Sequence, residues 1–261
     1  MKLNDDQVFR LLALILAILV LMGYGCTRSE TSVTVIEDVT ELDFLVHPHP
    51  DDVIDIYGFN ENLFASARFR YSSISSLNHN AEFELYLEGK HNLLSNELER
   101  RDDIKDFENS IDKILFSQNG NGYHKYSSIW KPIVREIVKL QKYAGEKHLL
   151  VYSDLQENSK WFSIHKRDDL HRLLTQRETV KEQFLGEADD IKQSDSLLEV
   201  IVIYQPKTIK DDERFSLLVD LYRSVFKELD IPISFKTQIN SYETNLTNTV
   251  ANTGQSNIVP D

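Results

Sequence analysis

Cysteine is almost absent from this chain of 261 residues. Cys26 stands alone, which excludes an intramolecular disulfide and a thiolate metal cluster. No Gly-x-x-x-x-Gly-Lys loop and no Gly-x-Ser-x-Gly elbow occurs, so the common phosphate cradle and nucleophile turn are missing. There is no basic stripe and there are no internal repeats. The formal net charge is −13 and the pI is near 5.1. That balance disfavours nucleic acid and anionic lipid surfaces, and suits cations or plain solubility. What remains is ordinary for a globular protein: 41% hydrophobic and 27% charged residues, enough to bury a full core.

The one uncharged apolar run near the N-terminus, 11–22, falls short of the roughly 20 residues that span a bilayer as a helix. A short apolar core followed by Gly23-Tyr24-Gly25 reads as a secretory signal. The Gly25-Cys26 junction resembles the cleavage site of a bacterial lipoprotein, which implies lipidation of Cys26. Gly23 stands where that site usually has Leu, and Asp5 and Asp6 dilute the charge of Lys2 and Arg10. The other reading is an uncleaved anchor over 8–24. Both readings hold the body of the protein at a membrane, outside the cytoplasm.

Residues 1–26 are thus the signal or anchor and 27–31 a spacer. Residues 32–239 form one domain, and 240–261, rich in Asn, Thr and Ser, form a disordered polar tail. Strands are expected at 32–36, 63–71 extending towards Ile74, 83–87, 147–152, 197–204 and 231–239. Helices are expected at 51–57 after Pro50, 97–116, from Ile129 to an end at Tyr143-Ala144-Gly145, 161–174 and 211–229. Ser127 or Ser128 is expected to cap the third of these, with Gly145 as its C′ residue. The charged stretch 176–196 is unassigned. Arg100-Arg101-Asp102-Asp103 reads as a solvated helix start. Alternation of strands and helices predicts an α/β fold, with a doubly wound, mostly parallel sheet and helices on both faces. The strands near Phe64 and Leu87 add one antiparallel pair.

Two apolar runs, 33–36 and 149–152, each lead into an aspartate near a hydroxyl, namely Asp38 with Thr40 and Asp154 with Ser153. Such acids lie at the carboxyl edge of the sheet, where open α/β folds place their ligands. These residues resemble the von Willebrand factor A-type domain. There the first strand ends in Asp-x-Ser-x-Ser, a helix start supplies a Thr, and a later strand ends in an Asp, often in Thr-Asp-Gly. Asp38 and Thr40 match the first acid and hydroxyl, and Leu42 replaces the second hydroxyl. Ser127 or Ser128 stands for the Thr. Ser153-Asp154 matches the last position, with Leu155 for the Gly. The resemblance implies a divalent-cation site, usually magnesium, at Asp38, Thr40, Ser127, Ser128 and Asp154, and a protein partner. Glu41 or Glu157 is the acid that would offset the lost hydroxyl. The bland alternative makes Asp38 and Asp154 turn or capping residues.

A competing motif is His47-Pro48-His49-Pro50-Asp51-Asp52. It resembles the zinc run of sugar-amide deacetylases, with His49, Asp51 and Asp52 as the metal and base residues. Val53 stands where that run continues with Glu, and no later pair of histidines supplies the remaining ligand. Arg68 and Arg70 share a strand face and should pair with acids across the sheet. Trp130 and Trp161 should be core. The first reading is therefore a membrane-anchored, extracytoplasmic A-type domain that binds a protein without chemistry. The second is a zinc-dependent amide hydrolase.

Overall fold

The computed structural model describes residues 30–40, 44–74, 82–91, 95–117, 127–192 and 195–238. The signal or anchor, Cys26, Glu41, Leu42 and the polar tail lie outside the described residues. Among those described, no helix is long and apolar enough to cross a membrane.

Six strands form one sheet. They are β1 (Glu30–Asp38), β2 (Ser66–Ile74), β3 (Glu82–Leu87), β4 (Glu146–Tyr152), β5 (Leu198–Ile203) and β6 (Ile233–Lys236), in the order β3-β2-β1-β4-β5-β6. All neighbours run parallel except β2 and β3, the expected antiparallel pair. Six helices are described: α1 (Pro50–Ile56), α2 (Glu97–Ser117), α3 (Trp130–Leu140), α4 (Arg167–Thr175), α5 (Arg177–Gly186) and α6 (Ile209–Leu229). The central strands are buried on both faces, as their near-continuous apolar runs require. Val33, Val35, Leu150 and Ile201 pack towards α1 and α2, whereas Ile36, Leu149, Val151 and Val200 pack towards α3 to α6. The doubly wound, Rossmann-like architecture is thus the one the alternation predicts.

Several expectations are corrected. β1 starts at Glu30, inside the expected spacer. The expected helix over 161–174 begins only at Arg167, and the unassigned stretch holds α5, separated from α4 by Gln176, whose backbone (φ −138°, ψ 47°) leaves the helical conformation. The last strand is shorter than expected. Gly145 is not a helix C′ residue, because α3 ends at Leu140. It has φ of +78°, and a Cβ there would stand 2.0 Å from the Glu30 carbonyl oxygen. Close approach of two backbones demands glycine.

Arg100 is not a solvated residue. Its side chain is fully buried and donates to the carbonyls of Leu63, Glu88 and Ala65. Arg101, on the exposed face, pairs with Glu97 one turn earlier. Arg68 and Arg70 do pair across the sheet, both with Glu84, and Arg70 also reaches the buried Glu136 on α3. Trp130 is fully buried and donates its Nε1–H to the Phe184 carbonyl at 2.9 Å. Trp161 packs against the same core.

Candidate functional site at the carboxyl edge

β1 and β4 lie side by side at the point where the strand order reverses, so their carboxyl ends flank the crevice of a doubly wound sheet. Asp38 ends β1 on the α3 side and is 3% exposed. Four groups from three segments donate to its carboxylate. Thr40 gives its backbone N–H at 3.0 Å and its hydroxyl at 2.6 Å to Oδ1. Ser127, ahead of α3, gives its hydroxyl to Oδ2 at 3.4 Å, and Ser153, just past β4, gives its own at 3.2 Å. Residues 89 and 115 positions away in sequence therefore meet one buried acid.

Ser127 is held there by the backbone. It exchanges hydrogen bonds with Asn158 at 3.2 and 2.8 Å in an isolated bridge. Ser153 Oγ in turn accepts the Leu155 N–H at 3.0 Å, and Leu155 adopts a left-handed conformation with φ of 61°. Asp154 is also buried, but its carboxylate takes the backbone N–H of Gln156 at 2.8 Å and its side-chain amide at 2.7 Å. It closes a turn beside the Asp38 cluster.

Ser127 and Ser128 do not cap α3. The N-cap position is Ile129, and no side chain at that position bonds the helix. Glu157 does the work from across the loop: its Oε2 accepts the N–H groups of Ile129 at 2.7 Å and Trp130 at 2.9 Å. Burial pushes the Glu157 pKa up, against the two N–H groups and the hydroxyls of Ser159 and Ser128, which favour the charged form. Ser128 thus faces Glu157, and Glu157 serves the helix instead of supplementing Asp38.

The donor set suits a hard cation in kind. A hydroxyl that gives its proton to Asp38 keeps lone pairs to offer, and magnesium prefers oxygen ligands and retains several waters. Asp38, Thr40, Ser127 and Ser153 would hold such an ion, with Asp154 as the adjacent second acid. Among the described residues no group of three or more His, Cys, Asp and Glu stands together as a metal site.

The zinc run is placed differently. His49 is the N-cap of α1 and its Nδ1 accepts the Asp51 N–H at 3.4 Å. His49 and Asp51 are largely exposed, and Asp52, half-buried, has its pKa raised by burial. Their geometry is that of a helix start.

Sequence reasoning passed over Glu37, Tyr71 and Tyr152, which form a second polar group at the same edge, and the structural role of Glu157. Glu37 carried a readable signal: it is an acid on the Val33-Val35 side of a buried strand. Tyr71 and Tyr152 looked like core, and only the fold brings them to it.

No family model matches this chain, and no curated protein matches it. Among solved structures, the human COPII-coat protein Sec24c is similar at 9% identity and a TM-score of 0.39, over 80% of this chain and 30% of that one. The chain thus spans less than a third of that protein's resolved length.

Proposed function

We propose that this chain is an A-type binding domain, held at a membrane outside the cytoplasm through Cys26 or an N-terminal anchor. It recognises a protein partner at the Asp38 cluster with the help of a divalent cation, and carries out no chemistry. The observation that supports this reading is the convergence of three hydroxyls, from the ends of β1 and β4 and the approach to α3, on one buried carboxylate at the crevice. Turn or capping duty at Asp38 needs only its local bonds to Thr40. It gives no reason for Ser127 and Ser153 to be there as well.

The test is thermal unfolding of the full-length protein in detergent, after chelation and then in millimolar magnesium. A cation that binds only the folded state adds about 1.4 kcal/mol at ten times its dissociation constant. That amounts to a rise of roughly 3–6 °C in a domain of this size. Asp38→Ala should abolish the rise and Ser153→Ala should diminish it. A wild-type melting temperature indifferent to magnesium overturns the cation. Capture of partners from membrane extracts, wild type beside Asp154→Ala, then tests the interaction itself.

A further inference from the structure

The crevice has a second side, facing α1 and α2. Glu37, a residue 8% exposed, closes the Val33-Val35 row there with its carboxylate. Its Oε2 accepts the Tyr71 hydroxyl at 2.6 Å, and its Oε1 meets His47 Nδ1 at 3.0 Å. Tyr152 is the cross-strand neighbour of Glu37 on β4. It is 2% exposed, and its hydroxyl has no hydrogen-bond partner among the described residues. Burial, then the negative charges of Asp52 and Glu37, keep that phenol protonated far above its ordinary range. A buried hydroxyl left unpaired costs about 1–3 kcal/mol.

Residues 44–49 lie over this group. The Phe44 ring meets Tyr204, just past β5, edge-on at 5.9 Å. Val46 packs on the core below, and His47 reaches Glu37 on β1. Because β4 lies between β1 and β5, a segment tied to both spans the carboxyl end of β4, whose last residue is Tyr152. The His47 side chain is itself 56% exposed, so the donor it gives Glu37 is at the surface and replaceable.

We propose that Glu37, Tyr71 and Tyr152 floor a site for a cationic nitrogen group, an alkylammonium or a guanidinium, and that His47 occupies its place until the 44–49 strap lifts. The chemistry selects this class. Glu37 with Asp52 nearby repels anions. The entering group must bring N–H donors for Glu37 Oε1 in place of His47, and the Tyr152 oxygen accepts one more. Val46 and the tyrosine rings suit an alkyl stem. A metal ion fits poorly, since no three acids or histidines gather there among the described residues. This site stands independently of the cation at Asp38.

The test uses the full-length protein in detergent and titration calorimetry with agmatine, which carries both cationic groups. A capped Gly-Arg-Gly peptide and its citrulline counterpart are titrated in parallel. His47→Ala removes the competing donor and should tighten agmatine binding severalfold. Tyr152→Phe deletes only the unpaired hydroxyl, so the fold persists, and it should weaken binding about three- to tenfold. Glu37→Gln should abolish binding, with circular dichroism confirming that it folds. Arginine-peptide binding with none by the citrulline form identifies a partner's side chain as the source. Agmatine binding alone identifies a free amine. The proposal is overturned if His47→Ala shows no saturable binding of any probe, or if Tyr152→Phe binds as wild type does.

Discussion

At the scale of single residues, the site owes its shape to groups that break local rules. Leu155 stands where the resembling family often has glycine, yet its backbone still takes the left-handed conformation. That costs a non-glycine residue roughly 1–2 kcal/mol. The side chain is fully buried, which stabilises by about 1.5–3 kcal/mol and offsets the strain. The left-handed backbone was not legible in the sequence, because leucine rarely adopts it. Glu157 is the sharper case. Spacing left it as a spare metal ligand, because no local pattern shows that a residue 28 positions away caps α3. Glu157→Ala should lower stability by about 1–3 kcal/mol, since two helix N–H groups lose their acceptor. Glu157→Gln keeps an acceptor and isolates the charge. The folded-state pKa is raised, so the folded protein holds that proton more tightly than the unfolded chain does. The resulting stability is complete below about pH 4.3 and is lost as pH rises through the folded value. Urea midpoints of wild type and Glu157→Gln, compared at pH 4.5 and 7, should therefore favour wild type more in acid. A pH-independent difference would remove the buried charge from the account.

At the scale of elements, apolar periodicity was a sound guide wherever an element lies against the sheet. On α2, Ile104, Phe107, Ile111 and Leu115 are buried as their spacing predicts, and on α6 the same holds for Leu218, Tyr222, Val225 and Leu229. It started α4 too early and missed α5, where charged surface outweighs a narrow apolar stripe: α4 buries only Leu173, and α5 only Val180 and Phe184. Periodicity also says nothing of how an element is tied at its ends. The first turn of α2 is fastened to the amino edge of the sheet by Arg100. That guanidinium donates to the 63–65 turn ahead of β2 and to the Glu88 carbonyl just past β3. Burial lowers the Arg100 pKa, but the charge is kept by its carbonyl partners and by Asp103. Arg100→Met fills similar volume and leaves the buried Ala65 carbonyl and two partly buried carbonyls short of a donor, at a cost of about 1–3 kcal/mol. Arg100→Lys should not restore stability, because a single ammonium lacks the planar fork that reaches three acceptors. Chemical denaturation of the three proteins measures this directly. A lysine variant as stable as wild type would show that charge, and not geometry, fastens the helix.

At the scale of the whole molecule, the direction of β1 decides what the site can meet. The chain enters the sheet at Glu30, four positions after Cys26, and all five parallel strands start at that edge. β1 has nine residues, and a strand rises about 3.3 Å per residue, so Asp38 lies roughly 26 Å beyond Glu30. With Cys26 as the proposed attachment point, the amino edge faces the lipid and both sides of the crevice point away from it. The sequence showed a strand ending in Asp38, and only the parallel topology puts Glu30 and Asp38 at opposite edges of the sheet. A lipid ligand is then out of reach, and the partner must come from the aqueous side. Dyes on cysteines introduced at two exposed positions report the orientation. Leu45→Cys lies over the carboxyl edge and Glu61→Cys in the turn before β2 at the amino edge. Energy transfer to an acceptor in the bilayer should be strong from position 61 and weak from position 45. Cys26→Ser serves as the control for anchoring and should abolish acyl labelling and the precursor's mobility shift. If the Cys26→Ser protein is released while the intact protein gives equal transfer from both dyes, the anchor stands and the upright orientation fails. If acyl labelling persists without Cys26, the lipoprotein reading itself fails.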